Sequence, residues 1–196
     1  MQNNSIYQIL VNKQNPIPKN WNDNITLVEI VKIDNENAFL EENTYNQFCK
    51  LKKFLEQFQI QVGIESGYRS VLYQQELYER FIEQYGKEYA DAVVAPPTTS
   101  EHHTGLALDM NIFIDNRWPE TNYEVMKYQK IFEMIHPYLH LFGFILRYPN
   151  GKEKITGYPY EPWHIRYVGI DIAKEIYQNN WTLEEFYKMK NIDKIL

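Results

Sequence analysis

Apolar residues fall at Tyr45, Phe48, Leu51, Leu55 and Phe58. Steps of three and four place them on one helical face, so a helix is expected over about 44–59. A short apolar run over 26–32 (Ile-Thr-Leu-Val-Glu-Ile-Val) suits a strand, and Ile60, Val62 and Ile64 alternate as in a second one, ending at Ser66-Gly-Tyr-Arg-Ser70. Ser70 is placed to cap a helix carrying Leu77, Tyr78, Phe81 and Tyr85 on one side. Lys87 to Val94 adds a turn or two of helix before Pro96-Pro97 breaks it. Leu106, Leu108 and Met110 alternate with Gly105, Ala107, Asp109 and Asn111, which predicts a strand whose second face is small and polar.

The rest of the chain follows the same logic. A helix is expected around Tyr123–Leu141, kinked or ended by Pro137. Phe144–Tyr148 reads as a strand, and the Asn150-Gly151 turn suggests that 154–158 returns antiparallel to it. His164–Val168 is the last strand, and two helices close the chain, the second opened by the capping box Thr182-Leu-Glu-Glu185. The first ~25 residues, rich in Asn, Pro and Lys, are expected to drape over the body as an extended segment. Helices and strands mix without a regular βαβ rhythm, which predicts an α+β fold around a small antiparallel sheet flanked by helices.

Composition narrows this picture. At 196 residues the chain is read as a single domain spanning 1–196, with 44% apolar and 15% aromatic residues, which is globular rather than disordered. A net charge of −6, with no basic run interleaved with aromatics, argues against nucleic acid as a partner. The lone Cys49 forms no intramolecular disulfide and excludes cysteine-based structural zinc; its helical setting suggests a buried or half-buried residue. No stretch approaches the roughly 20 apolar residues of a transmembrane segment, and Met1–Leu10 lacks the pattern of a signal peptide. As it stands the chain is expected in the cytoplasm, or at the cell wall or outside the cell if a leader precedes it in a longer protein.

The candidate chemistry lies in two segments, Ser100-Glu-His102-His-Thr-Gly105-Leu-Ala-Leu-Asp109 and Glu161-Pro-Trp-His164. Hydrolytic zinc sites need three protein ligands, commonly His nitrogen and carboxylate oxygen, an open position, and a carboxylate to take a proton from water. Gly105 and Ala107 would leave room for a metal beside Asp109, and burying that Asp without a partner charge would be costly. Pro162 keeps Glu161 and His164 from stacking as neighbours on successive helical turns. Taken singly, each has an ordinary reading: an exposed Asp on a sheet, a surface Glu, a satisfied core His.

Together, the pattern Ser-x-His-x-x-Gly-x-Ala-x-Asp followed by Glu-x-Trp-His resembles the VanY/VanX-like D-alanyl carboxypeptidases and dipeptidases. The resemblance runs from about Ile9 to Val168. It includes Ser66-Gly-Tyr-Arg-Ser70, Gly143-Phe-Ile-Leu-Arg-Tyr-Pro149 and Ile155-Thr-Gly-x-x-Tyr-Glu-Pro-Trp-His-x-Arg-Tyr-Val-Gly169. In length and in its closing Trp181-Thr-Leu-Glu-Glu-Phe the chain looks most similar to the cytosolic VanXY-type enzymes. The resemblance implies a zinc cleft on the sheet, as in hedgehog-like and D,D-peptidase domains. It implies one Zn2+ per chain held by His102, Asp109 and His164, with Glu161 as general base. Arg69 would then bind the oxyanion or a substrate carboxylate, while Ser100, Gln74 and Tyr148 would contact substrate.

The implied substrates are peptidoglycan precursor peptides ending in D-Ala, cleaved by D,D-carboxypeptidase chemistry, with D,D-dipeptidase activity as an additional capacity of the family. Alternatives left open are an L,D-carboxypeptidase acting on tetrapeptide stems, a phage-type endopeptidase and a non-catalytic peptidoglycan-binding relative. Pocket depth, set by 112–123 and 148–160, would separate the catalytic readings. Three other histidines are set aside: His103, which points away from the site if the chain there is extended, and His136 and His140, which straddle Pro137 without a third ligand.

Overall fold

The computed structural model describes residues 4–191. After two short 3-10 turns (Asn4–Gln8 and Trp21–Asn24), β1 (Leu27–Val31) and β2 (Asn37–Glu41) pair as an antiparallel hairpin, with Leu27 opposite Glu41. Then come α1 (Glu42–Glu56), β3 (Val62–Ser66), α2 (Val71–Tyr85), α3 (Lys87–Val93) and β4 (Ala107–Ile112). The second half runs α4 (Asn122–Lys127), α5 (Gln129–Leu139), β5 (Phe144–Leu146), α6 (Glu153–Thr156), β6 (His164–Tyr167), α7 (Ile170–Asn179) and α8 (Leu183–Lys190). The four-stranded sheet has the order β3-β4-β6-β5, antiparallel throughout. The expected α+β architecture, a small antiparallel sheet flanked by helices, is what the chain forms.

Local chemistry sets the element ends. Glu41 closes the N-terminus of α1, its Oε2 accepting from the Thr44 amide (2.7 Å) and hydroxyl (2.8 Å), so two donors at that end are satisfied by one carboxylate. Ser70 caps α2 by accepting from the Tyr73 amide, and the Thr182–Glu185 capping box opens α8. Phe48, Leu51 and Leu55 turn inward from α1 to meet Leu106, Leu108 and Met110 of the β4 region in the main apolar cluster. Gly105 has φ +69, and a Cβ there would stand 2.9 Å from Leu27 Cδ2 and 3.3 Å from the Glu41 amide. Its missing side chain therefore admits the β1–β2 hairpin rather than a metal; its carbonyl accepts from that same Glu41 amide (2.9 Å).

Several expectations are corrected. The segment 154–158 is not a strand: Gly151 donates to Glu153 Oε1 (2.9 Å), α6 forms one helical turn, and Gly157 at φ +79 ends it. The hairpin partner that β5 needs is supplied by β6, with Phe144 opposite Tyr167. The helix expected over 123–141 is two helices broken at Tyr128, and Pro137 sits in the last turn of α5, two residues before that helix ends. Cys49 is exposed, one position off the buried stripe of α1, and Phe58 lies beyond that helix at 48% exposure, stacked on Tyr138. The N-terminal segment does more than drape: Tyr7, Ile9, Val11 and Trp21 are buried in the main cluster, and Trp21 Nε1 donates to the Thr104 carbonyl (3.0 Å). No helix among the described residues is long and apolar enough to cross a membrane.

Candidate active site

Antiparallel pairing of β4 with β6 sets Asp109 directly opposite His164. The 3-10 turn Glu101–Thr104, capped by Ser100 Oγ accepting from the His102 amide (3.3 Å), delivers His102 to the same place. His102 Nε2 lies 3.3 Å from Asp109 Oδ2, and His164 Nδ1 lies 3.1 Å from Asp109 Oδ1. All three donor atoms fall within 4.8 Å of one another, the only such group of three among the described residues. Ligand bonds of about 2.0–2.1 Å in a tetrahedron put neighbouring donors roughly 3.3 Å apart. Asp109 stands at about that distance from both histidines, through Oδ2 to His102 and through Oδ1 to His164. Asp109 Oδ1 is buried and makes no hydrogen bond, so the set holds an acceptor that a cation would satisfy.

The ring tautomers fit the same purpose. His102 Nδ1–H donates to the Gly67 carbonyl (2.7 Å), which leaves Nε2 bare toward the centre. Burial, and next the Arg69 charge, lower the His102 pKa to about 4, so the ring is neutral as a ligand must be. Asp109 is held well below the usual carboxylate range: burial opposes ionisation, but the two imidazoles outweigh it. His164 is raised to about 9, since the carboxylates of Asp109 and Glu101 overcome the burial that disfavours its charge. A cation at the centre would take the place of its Nδ1 proton.

Glu161 sits in the turn before β6, its amide donating to the Tyr148 carbonyl (3.2 Å) and its own carbonyl accepting from the His164 amide (3.3 Å). Its Oε2 is 3.8 Å from His164 Nδ1. Burial, with Asp109 adding repulsion, pushes its pKa up to about 7 against the pull of His164 and Arg69. Arg69 Nη2 bonds Asp109 Oδ2 (2.9 Å) and Ser66 Oγ (2.9 Å), Nε also bonds Ser66 Oγ (3.1 Å), and Nη1 has no partner among the described residues. Gln74 is fully buried; its Nε2 donates to the Ala95 carbonyl (2.9 Å) while Oε1 is unpaired. The Tyr148 ring lies 4.8 Å from that of His164.

All eight residues singled out in the sequence, Arg69, Gln74, Ser100, His102, Asp109, Tyr148, Glu161 and His164, line one cleft of about 170 Å³. That is below the ~300–1,000 Å³ of drug-sized sites, so the end of the cleft suits a small group. A groove of about 680 Å³ shares Arg69, Asp109 and Trp163 with it and runs out past Tyr68 and Phe39, leaving room for a longer chain.

The remaining histidines have other work. The chain at His103 is a 3-10 turn rather than extended; its Nδ1–H donates to the Arg69 carbonyl (2.7 Å). His136 Nε2–H donates to the Pro162 carbonyl (3.0 Å), and His140 stacks on Tyr177 at 4.0 Å. Sequence reasoning missed Glu101, Arg147 and Arg166, which are fully or almost fully buried beside the site. Position gives a signal: Arg166 is two residues past His164 on one strand, hence on its face, and a buried guanidinium demands a carboxylate.

A histidine–aspartate–histidine centre with a carboxylate of raised pKa beside it, set in a cleft on an antiparallel sheet, defines a metallohydrolase. The family model described as VanY, D-alanyl-D-alanine carboxypeptidase, matches residues 37–170. The chain belongs to that family. It is 31% identical over 191 residues to the bifunctional D-Ala-D-Ala dipeptidase and D-Ala-D-Ala carboxypeptidase VanXYC of Enterococcus gallinarum, covering 91% of this chain and 92% of that one. Its structure is similar to that of a vancomycin-resistance D,D-pentapeptidase VanY from a VanB-type cassette in complex with Zn(II), with TM-score 0.74 and 32% identity over 92% of this chain and 98% of the other. It is also similar to the LdcB LD-carboxypeptidase, with TM-score 0.80 and 31% identity over 96% and 88% of the two chains.

Proposed function

We propose that the chain is a zinc-dependent D,D-carboxypeptidase that removes the terminal D-Ala of peptidoglycan precursor peptides. The observation that carries this is the convergence of three donor atoms within 4.8 Å beside a buried carboxyl of raised pKa. His102, Asp109 and His164 are the ligands in this reading, as their convergence within 4.8 Å and the unpaired Asp109 Oδ1 support. Zinc, when bound, supplies Lewis acidity toward the scissile carbonyl and lowers the pKa of water.

The protein's own groups supply the rest. Glu161 takes a proton from the attacking water as the C–O bond forms, then returns it to the amine of the departing D-Ala as the C–N bond breaks. Its pKa near 7 suits both directions of that transfer. Arg69 offers its guanidinium to the oxyanion or to the substrate carboxylate. Gln74 and Ser100 line the cleft with hydrogen-bonding groups, and Tyr148 adds an aromatic ring to its wall.

The same fold also serves a relative described as an LD-carboxypeptidase, which favours L,D-cleavage of tetrapeptide stems as the second reading. A cytoplasmic site of action belongs to the proposal through the resemblance to VanXY-type enzymes, and fractionation of native cells tests it. For the site itself, His102→Ala, Asp109→Ala and His164→Ala should each lose both zinc and activity. Stoichiometric zinc in all three variants would sink the ligand assignment.

A further inference from the structure

Glu101 stands between the two catalytic motifs in space although it is beside only one in sequence. Its carboxylate is wholly buried. Oε1 accepts from Arg147 Nε (2.7 Å) and Arg166 Nη1 (2.8 Å), and Oε2 faces His164 Nε2 at 3.4 Å. Both arginines are fully buried and anchored elsewhere. Arg147 makes a two-pronged pair with Glu184 of α8 (2.9 and 2.6 Å), and Arg166 Nη2 donates to the carbonyls of Tyr7 (3.1 Å) and Ile9 (2.8 Å). With Glu184 the cluster holds two guanidiniums and two carboxylates, and because both arginines bond Oε1 they fix where the second oxygen of Glu101 points.

That second oxygen decides the state of His164. A carboxylate can only accept, so Nε2 must carry the proton, and Nδ1 is the nitrogen left for the centre it shares with Asp109. Without Glu101 the imidazole would be free to adopt the other tautomer or to rotate, and Nδ1 would no longer be held as a lone-pair donor. We infer that Glu101 is a positioning residue of the metal centre, locked by Arg147 and Arg166 so that it fixes the tautomer and orientation of His164. This rests on the reading of His102, Asp109 and His164 as ligands. It also ties the site to the N-terminal segment through Arg166 and to α8 through Arg147.

The test uses the full chain and zinc. In the zinc-loaded wild type, long-range proton–nitrogen correlation of the His164 ring should show a protonated Nε2 whose proton lies downfield and exchanges slowly. A ring protonated at Nδ1, or an Nε2 proton in free exchange, would overturn the inference. Glu101→Asp keeps the charge against both arginines but withdraws it from His164. Its zinc affinity, measured by competition with a chelator, should fall by about 10–100-fold, the usual effect of losing such a partner. Glu184→Gln disturbs the same Arg147 without touching His164, and should lower the melting temperature while leaving zinc affinity at the wild-type value. Wild-type affinity in Glu101→Asp, or an equal loss in Glu184→Gln, would refute the role. His164→Ala separates the two readings: if it too keeps wild-type affinity the ligand assignment fails, and if it alone loses zinc only the role of Glu101 fails.

Discussion

Replacing Glu161 by Gln removes a proton acceptor and changes almost nothing else. The side-chain shape is kept, and the backbone bonds that hold the turn, from the Glu161 amide to Tyr148 and from the His164 amide to the Glu161 carbonyl, are untouched. None of the three proposed ligands is altered, so zinc content should stay at the wild-type level. General-base catalysis contributes on the order of 10²–10⁴ in rate, so kcat should fall at least ~100-fold, about 2.7 kcal/mol of transition-state stabilisation. KM should move little, because the carboxylate acts mainly in the transition state.

The same substitution has a second, opposite effect on the metal-free protein. Glu161 is raised from 4.5 to about 7, so its folded-state stability is fully present below the ordinary carboxylate range and is lost as pH rises through about 7. At pH 8 the wild type therefore carries a buried charge penalty of up to about 3 kcal/mol that Gln does not, and chelator-treated Glu161→Gln should melt higher than chelator-treated wild type. Steady-state kinetics, zinc analysis and thermal melts at pH 5 and 8 read all of this. Turnover near wild type would move the base elsewhere, an emptied metal site would make Glu161 a ligand, and equal melting at pH 8 would refute the burial argument.

Other consequences follow from the same geometry. Arg69→Ala should retain zinc while kcat/KM falls, since its Nη1 is the cationic donor left to the cleft; loss of zinc instead would make its pairing with Asp109 structural. Gly105→Ala should destabilise the fold by at least ~1 kcal/mol in denaturant titration, because it forces a Cβ into the left-handed region and to 2.9 Å from Leu27 Cδ2. Glu101 is held far below the usual carboxylate range: burial opposes its ionisation, and Arg147 and Arg166 outweigh it. Its contribution is present above the ordinary Glu pKa and is lost as pH falls, so a melting temperature that does not fall below about pH 4 would contradict that pairing.

What could be read from the sequence divides along physical lines. Local signals held: the three- and four-residue spacing of Phe48, Leu51 and Leu55, the caps at Ser70 and Thr182, and the alternation through Leu108 and Met110 depend on near neighbours only. The β2 strand was invisible because Asn37–Glu41 carries no alternation and is defined by pairing with β1. The misread return strand at 154–158 shows the converse: after a good turn signal at Asn150-Gly151 the chain enters the single helical turn α6, and β5 pairs with β6 instead. Of the site, the eight lining residues were legible through a motif, and the cleft does gather them. The Glu101–Arg147–Arg166 cluster was not, since an acidic residue beside a histidine reads as solvated until the fold brings two arginines to it from 46 and 65 positions away.

The most direct test of the account is the product released by zinc-loaded protein from defined stem peptides. Pentapeptide ending in D-Ala-D-Ala should yield one free D-Ala per chain cleaved. A strong chelator should abolish the release and added zinc restore it, while tetrapeptide should be cleaved far more slowly. Release of D-Ala from tetrapeptide but not from pentapeptide would make the protein an L,D-carboxypeptidase. No release from either, with zinc bound, would contradict the proposed catalytic role altogether.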